Sequence, residues 1–416
     1  MFDDFAKIIL ASLFAIFFMR PKVNLNLLGP FSSLELIVYV TGILFSFFMQ
    51  ANTKQLKFIT YFLPAICYVG LIFVFSDHSD IEGIRRIFRT SMDVLLCIMM
   101  IELLHSYYQS RIIEIVITVI VVSSLVQAIA MYGEFFNEGI RTFLRVAFVK
   151  NQQGLLTERA TGFQLFGGDS LSMNQALGAV IALFAYYRSI GIKRVFFLII
   201  AIIIIGSSLF AGRTGLLLFC LAFFSYEIYL FIVRREHIRA LIILAIFASS
   251  SFLLLPFLIE SSLDVSRGYQ NPITRALQPF RLYYYNNTIE TTSTNRLSEM
   301  FFIPDNSTRL IFGNSQYGRE GSEKVKTDVG YIRFIFGMGI LGLAFSMIPF
   351  LMLLLNSLKK IDIELIILLF FGLIGNVKII YLFSGPYIVT LFMFHLSKLY
   401  ETKHNVLLGV SSKNME

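Results

Sequence analysis

The sequence predicts an all-α fold, a polytopic transmembrane helical bundle of about a dozen spans carrying one large loop on its outer face. Three observations predict it. Of the 416 residues, 56% are hydrophobic and only 15% charged, too little charge to cover a soluble domain of this length. Mean hydropathy is +0.73, and the apolar residues gather in runs of roughly 20, the length that crosses a hydrocarbon core. The polar breaks between runs alternate in basic content, as loops on alternate sides of a membrane do.

Taken in order, the runs fall near 5–19, 32–49, 58–76, 91–107, 112–133, 170–187, 195–211, 214–233, 240–258, 331–357, 363–383 and 386–400. The first is short and lacks a small-residue cleavage site, so it reads as an uncleaved anchor. The chain divides into a membrane bundle over 1–258, a large loop over 259–327, and the last three spans with a tail over 328–416. Cys67, Cys97 and Cys220 fall inside spans, so neither a disulfide framework nor a cysteine metal site is expected. His78, His105, His237, His395 and His404 lack ligand spacing, and no metal or cofactor is expected. Lys and Arg outnumber Asp and Glu 35 to 27; in a polytopic chain this reads as basic loops facing anionic lipid rather than as nucleic-acid binding.

Short basic breaks at 50–57, 188–194, 234–239 and 358–363 alternate correctly if both termini are cytoplasmic. The breaks at 20–31, 77–90, 134–169, 211–213, 259–327 and 384–385 then face outward. Lysine and arginine both occur inside, whereas arginine dominates outside, with Arg85, Arg86, Arg89, Arg141, Arg145, Arg159 and Arg213 among the examples. The planar guanidinium binds phosphate oxygens in bidentate pairs, so this bias suits phosphate or pyrophosphate. Long outer loops with solvated, salt-bridged surfaces explain it equally well.

Within 77–90, Ile81, Ile84 and Phe88 recur at helical spacing, as do Ile140, Phe143, Leu144 and Phe148 within 139–150. Both stretches are expected to be short interfacial helices touching lipid, or to pack on the bundle. Arg141 and Arg145 lie four apart on one face of the second. The 259–327 loop is long enough to need structure of its own. Its Arg281-Leu-Tyr-Tyr-Tyr run suits membrane anchoring, or else sugar stacking. Arg333 and Lys378 sit inside spans toward their outer ends, where ionisable side chains are functional candidates. Glu102 and Glu114 lie nearer cytoplasmic ends and read as snorkelling or helix-end charges.

Three stretches at the outer face resemble the O-antigen polymerases and the related lipid A-core O-antigen ligases. Arg159-Ala-Thr-Gly-Phe, followed by Asn174, resembles that family's Arg-x-x-Gly turn with an asparagine at the head of a helix. Ala211-Gly-Arg213-Thr-Gly is similar to its small-x-Arg-small-Gly turn. Thr327-Asp328-Val-Gly-Tyr331, with Gly337 and Gly342 following, resembles the polymerases' Thr-Asp-Ser-Gly-Tyr segment. Ligases of the family carry a histidine at the end of the large loop, and 259–327 contains none, which points to a polymerase.

The resemblance implies a glycosyltransferase of the bacterial inner membrane. It would transfer a glycan chain from undecaprenyl pyrophosphate to a lipid-linked acceptor repeat unit at the periplasmic face. Its partners would be that lipid-linked oligosaccharide, membrane lipid and a chain-length-determining co-polymerase. Arg213, Asp328 and Arg159 are the catalytic candidates, and Arg141, Arg145, Tyr331, Arg333 and Lys378 the substrate-binding ones. Arginine would stabilise the departing pyrophosphate. Asp328 would accept the acceptor's proton, or instead pair with Arg333 or cap the next helix. Arg213 has a helix-end anchor as its plainer role, Tyr331 lines the sugar site, and Asn174 caps a helix. The rival readings are an O-antigen ligase and a flippase for lipid-linked oligosaccharides; a flippase would spread its charges along a central cavity on both sides of the midplane.

Overall fold

The computed structural model describes residues 2–19, 58–76, 82–147, 160–163, 168–233, 299–317 and 327–407. These are helical, with no strand among the described residues. Five stretches are long and apolar enough to cross a membrane: Phe58–Phe75, Glu82–Phe136, Ile192–Ala211, Thr214–Ile232 and Gly330–Lys359. The runs expected at 32–49 and 240–258 lie outside the described residues.

In chain order the helices are α1 (Phe2–Met19), α2 (Leu63–Phe75), α3 (Glu82–Tyr108), α4 (Ile112–Phe136), α5 (Glu138–Ala147) and α6 (Asp169–Arg188). They continue with α7 (Ile192–Ala211), α8 (Thr214–Ile232), α9 (Ser307–Phe312), α10 (Gly330–Lys359), α11 (Ile363–Lys378) and α12 (Gly385–Leu407). Helix α6 is central: residues 171–185 are all buried. Ala176, Gly178, Ala179, Ala182 and Ala185 let neighbours approach its backbone closely, as small residues do between membrane helices. Helices α4, α7, α8 and α11 pack against it. On α7 the exposed Val195, Phe196, Ile199 and Ile202 fall on one face, the stripe that lipid would cover.

Two boundaries differ from expectation. The stretch at 77–90 does not form a separate interfacial helix, because α3 begins at Glu82 and continues unbroken into the span. Its polar first turn is tied down by Glu82 to Arg86 at 2.6 Å, while Ile87 is buried in the bundle. Helix α4 runs past the expected end of its span to Phe136, which puts Glu134 on a helix rather than in a loop. Helix α5 does form as a short amphipathic element, with Ile140, Phe143 and Val146 exposed and Leu144 buried.

Helix α10 is broken. Gly339 has φ +67°, a left-handed conformation that frees the carbonyls of the preceding turn. Those carbonyls are taken up by residues following α9: Asn314 N–H donates to Phe336 O at 3.0 Å and Ser315 N–H to Gly337 O at 2.8 Å. Tyr68 Oη donates to Phe312 O at 3.2 Å, and Ser76 Oγ to Asn314 O at 2.5 Å, fixing the same segment to α2 and its C-cap. Irregular backbone beside a membrane helix is stable where protein groups satisfy it, as they do here. Part of the 259–327 stretch is thus wedged into the bundle.

Candidate functional site

One end of the bundle gathers the C-termini of α4, α7 and α11 and the N-termini of α6, α8, α10 and α12. The first familiar turn lies there. Glu134, 2% exposed, accepts the N–H groups of Thr161 and Gly162, each at 2.8 Å from Oε2. Gln127 completes the clamp: its Nε2 donates to Thr161 O and its Oε1 accepts Phe163 N–H, both at 3.0 Å. Gly162 is required, since its φ is +54° and a Cβ would stand 2.6 Å from Gln127 Nε2. A buried carboxylate accepting two backbone amides is a strong charge-assisted arrangement. Arg159, the residue just before Ala160, lies outside the described residues.

The second turn is bolted to the head of α6. Ser172 Oγ donates to Gly212 O at 2.7 Å and accepts Gly215 N–H at 3.0 Å. Thr214 Oγ1 donates to Asp169 Oδ1 at 2.9 Å. A Cβ at Gly215 would lie 2.1 Å from Ser172 O, so only glycine lets the two helix starts meet. Arg213 is the N-cap residue of α8 and is half-buried. Ala160, Leu171 and Ala211 pack together with Met131, which brings the first and second turns into one cluster.

The third stretch meets the same end through α11. Gly330 lies against Asn376, where a Cβ would be 2.6 Å from Asn376 O, and Gly375 faces Met173 Sδ of α6. Asp328 is half-buried just before α10. It is not the cap: the N-cap position is Val329, and Thr327 Oγ1 accepts the Val329 N–H at 3.1 Å while donating to Met300 O.

Of the remaining expected site residues, Arg141, Tyr331 and Arg333 have identifiable partners. Arg141 Nε donates to Glu134 O at 3.0 Å and Nη2 to Phe135 O at 3.4 Å, closing the C-terminus of α4 beside the clamp. The Arg145 side chain lies outside the described residues. Tyr331 Oη donates to Leu373 O at 2.8 Å, which joins α10 to α11. Arg333 Nε donates to Tyr317 O at 3.0 Å, holding the segment that follows α9. Lys378 ends α11, half-buried. Asn174 does not cap; it lies in the second turn of α6, buried, because Gly168 occupies the N-cap position.

At the opposite end the basic breaks at 188–194 and 358–363 come together with carboxylates. Arg188 Nε donates to Glu364 Oε1 at 3.0 Å, and Lys398 Nζ lies 2.5 Å from Asp362 and 2.7 Å from Glu364. They line a cavity of about 690 Å³ with Lys360, His395 and Glu401. Arg188 and Lys398 are paired with Asp362 and Glu364, and Lys360 and Glu401 add one charge of each sign, so the cavity offers little net field for a phosphate. Glu134 and Glu364 stand at the edges of apolar runs, but nothing local in the sequence names the groups they bind. The chain matches no protein-family model and no curated protein. Among the described residues, no group of histidine, cysteine and carboxylate side chains is placed to hold a metal ion.

Proposed function

We propose that this chain is a repeat-unit polymerase of the O-antigen type, acting on undecaprenyl-pyrophosphate-linked oligosaccharides at the periplasmic face of a bacterial inner membrane, with both termini cytoplasmic. One observation carries the reading: the turns at 160–163 and 212–215 share a packed cluster at the head of α6, and the start of α10 reaches the same end through α11. The alanine-to-glycine turn that presents Arg213 is held by Ser172 and Asp169.

In the proposed reaction, an acceptor sugar hydroxyl attacks the anomeric carbon of the donor chain. The bond from that carbon to pyrophosphate oxygen breaks, and lipid pyrophosphate leaves with the electron pair. The guanidinium of Arg213, on a rigid turn, stabilises the charge growing on that leaving group, with Arg159 as its proposed second cation. Asp328 takes the hydroxyl proton. The activated bond is already in the donor, so no nucleotide is consumed. Arg141, Arg145, Tyr331, Arg333 and Lys378 are the proposed substrate-binding residues, with a chain-length co-polymerase as the expected protein partner.

Deleting the gene in its host and resolving lipopolysaccharide on a gel tests the reading. A core capped with a single repeat unit is the expected pattern. Bare core with accumulated lipid-linked polymer would mean a ligase, and unchanged ladders would contradict both. Arg213→Ala should abolish the ladder while the protein stays folded in the membrane; full ladders from that variant would remove Arg213 from the mechanism.

A further inference from the structure

Asn174 points somewhere other than a helix cap. Its Oδ1, with Gln175 Oε1, Ser123 Oγ and Ser124 Oγ, is buried and has no hydrogen-bond partner among the described residues. Their residues are 7%, 2%, 2% and 3% exposed, in that order. All four line one small cavity of about 10 Å³, together with Gln127, Phe18, Met19 and Pro386. Such a volume is about one water-sized sphere.

The serines depart from the habit of this protein. Elsewhere in its helices, Ser91, Ser207, Ser208, Ser346, Ser357 and Ser397 donate back to a carbonyl three or four residues earlier, at 2.7–2.9 Å. Ser123 and Ser124 are adjacent on α4 and do not. Four buried polar oxygens without partners cost together far more than one small guest costs to immobilise.

We propose that this cavity binds one ordered water molecule, which accepts from the Ser123 and Ser124 hydroxyls and donates to Asn174 Oδ1 and Gln175 Oε1. The donor and acceptor count matches water, with two of each on both sides. A dehydrated monovalent cation fits less well. The ring supplies only neutral oxygens, no carboxylate lines it, and Pro386 puts the partly positive start of α12 on its wall. The water bridges α4 to α6 directly behind Gln127, whose amide grips Thr161 and Phe163. It thereby backs the turn at 160–163, and the inference holds whatever reaction occurs beyond that turn.

The test is X-ray radiolytic footprinting of the full-length protein in detergent. Phe18 is 4% exposed, so bulk radicals do not reach it, whereas a radical born from the bound water does. Wild type should show hydroxylated Phe18. After rapid mixing into heavy-oxygen water, Phe18 should incorporate mostly the light isotope while the exposed Tyr107 takes the heavy one. Ser123→Ala combined with Ser124→Ala should lower the Phe18 signal several-fold. Unmodified Phe18 in wild type, or an isotope ratio equal to that of Tyr107, overturns the proposal without relying on any variant. So does a melting temperature that rises with sodium over choline and falls back in the double variant, the signature of a cation.

Discussion

At the scale of single residues, Glu134 and Ser172 play matching parts. Each is a buried polar side chain on a helix that reaches across to fix the backbone of a glycine turn. Glu134→Ala would leave two buried amides unsatisfied at a cost of about 1–3 kcal/mol each. The melting temperature in detergent should fall clearly, while Glu134→Gln, which keeps one acceptor oxygen, should fall less. Equal melting of wild type and Glu134→Ala would show that the clamp contributes nothing. At Gly215, a methyl group would collide with the Ser172 carbonyl, a backbone atom that cannot swing away. Gly215→Ala should therefore destabilise by about 1–3 kcal/mol. Gly70→Ala, in a helix with nothing within 4 Å of the added carbon, should be neutral or stabilising in the same assay. The glycines of both turns were legible in the sequence as turn residues. What grips them was not, because Glu134 stands just past an apolar run and looked like the start of a loop. Asn174 was misread for a related reason: an asparagine near a helix start suggests a cap, and only the position of Gly168 shows the helix beginning earlier.

At the scale of elements, apolar run length pointed to the five stretches long enough to cross a membrane, and hydrophobic periodicity to the short amphipathic α5, since burial on one face leaves a pattern in the residues themselves. It could not reveal that α3 continues through Arg85, Arg86 and Arg89, because those charges are accommodated by local pairs such as Glu82 with Arg86. Nor could it reveal the break in α10. Glycines at 337, 339 and 342 suit close helix packing as well as a kink, and the deciding partner, 313–315, is distant in sequence. The break makes a specific expectation. Gly339→Ala would force a β-carbon into a left-handed residue at about 1–2 kcal/mol, and set it 2.2 Å from Ile311 O. Hydrogen exchange at the Asn314 and Ser315 amides should accelerate in that variant, as the segment separates from α10. Unchanged exchange at both amides would show that the contact does not depend on the glycine.

At the scale of the whole molecule, composition pointed to the membrane class, which five long apolar helices support, and the basic loops suggested which end faces the cytoplasm. The pairing of Glu364 with Arg188 and Lys398 at the end opposite Arg213 depends on three separate helices and was invisible in one dimension. Glu364→Gln should weaken that network and cost about 3 kcal/mol. Polymer made per folded molecule should nevertheless stay the same, since the network lies away from the proposed chemistry. Loss of polymer with folded protein undiminished would move the active site to the ion-paired cavity. Polymerase activity can be measured by reconstituting the purified protein in liposomes with undecaprenyl-pyrophosphate-linked repeat units alone. A ladder of lipid-linked polymer and release of undecaprenyl pyrophosphate are expected, both abolished by Arg213→Ala. Repeat units that remain single in the presence of folded wild-type protein, or that merely cross the bilayer, would contradict the polymerase reading.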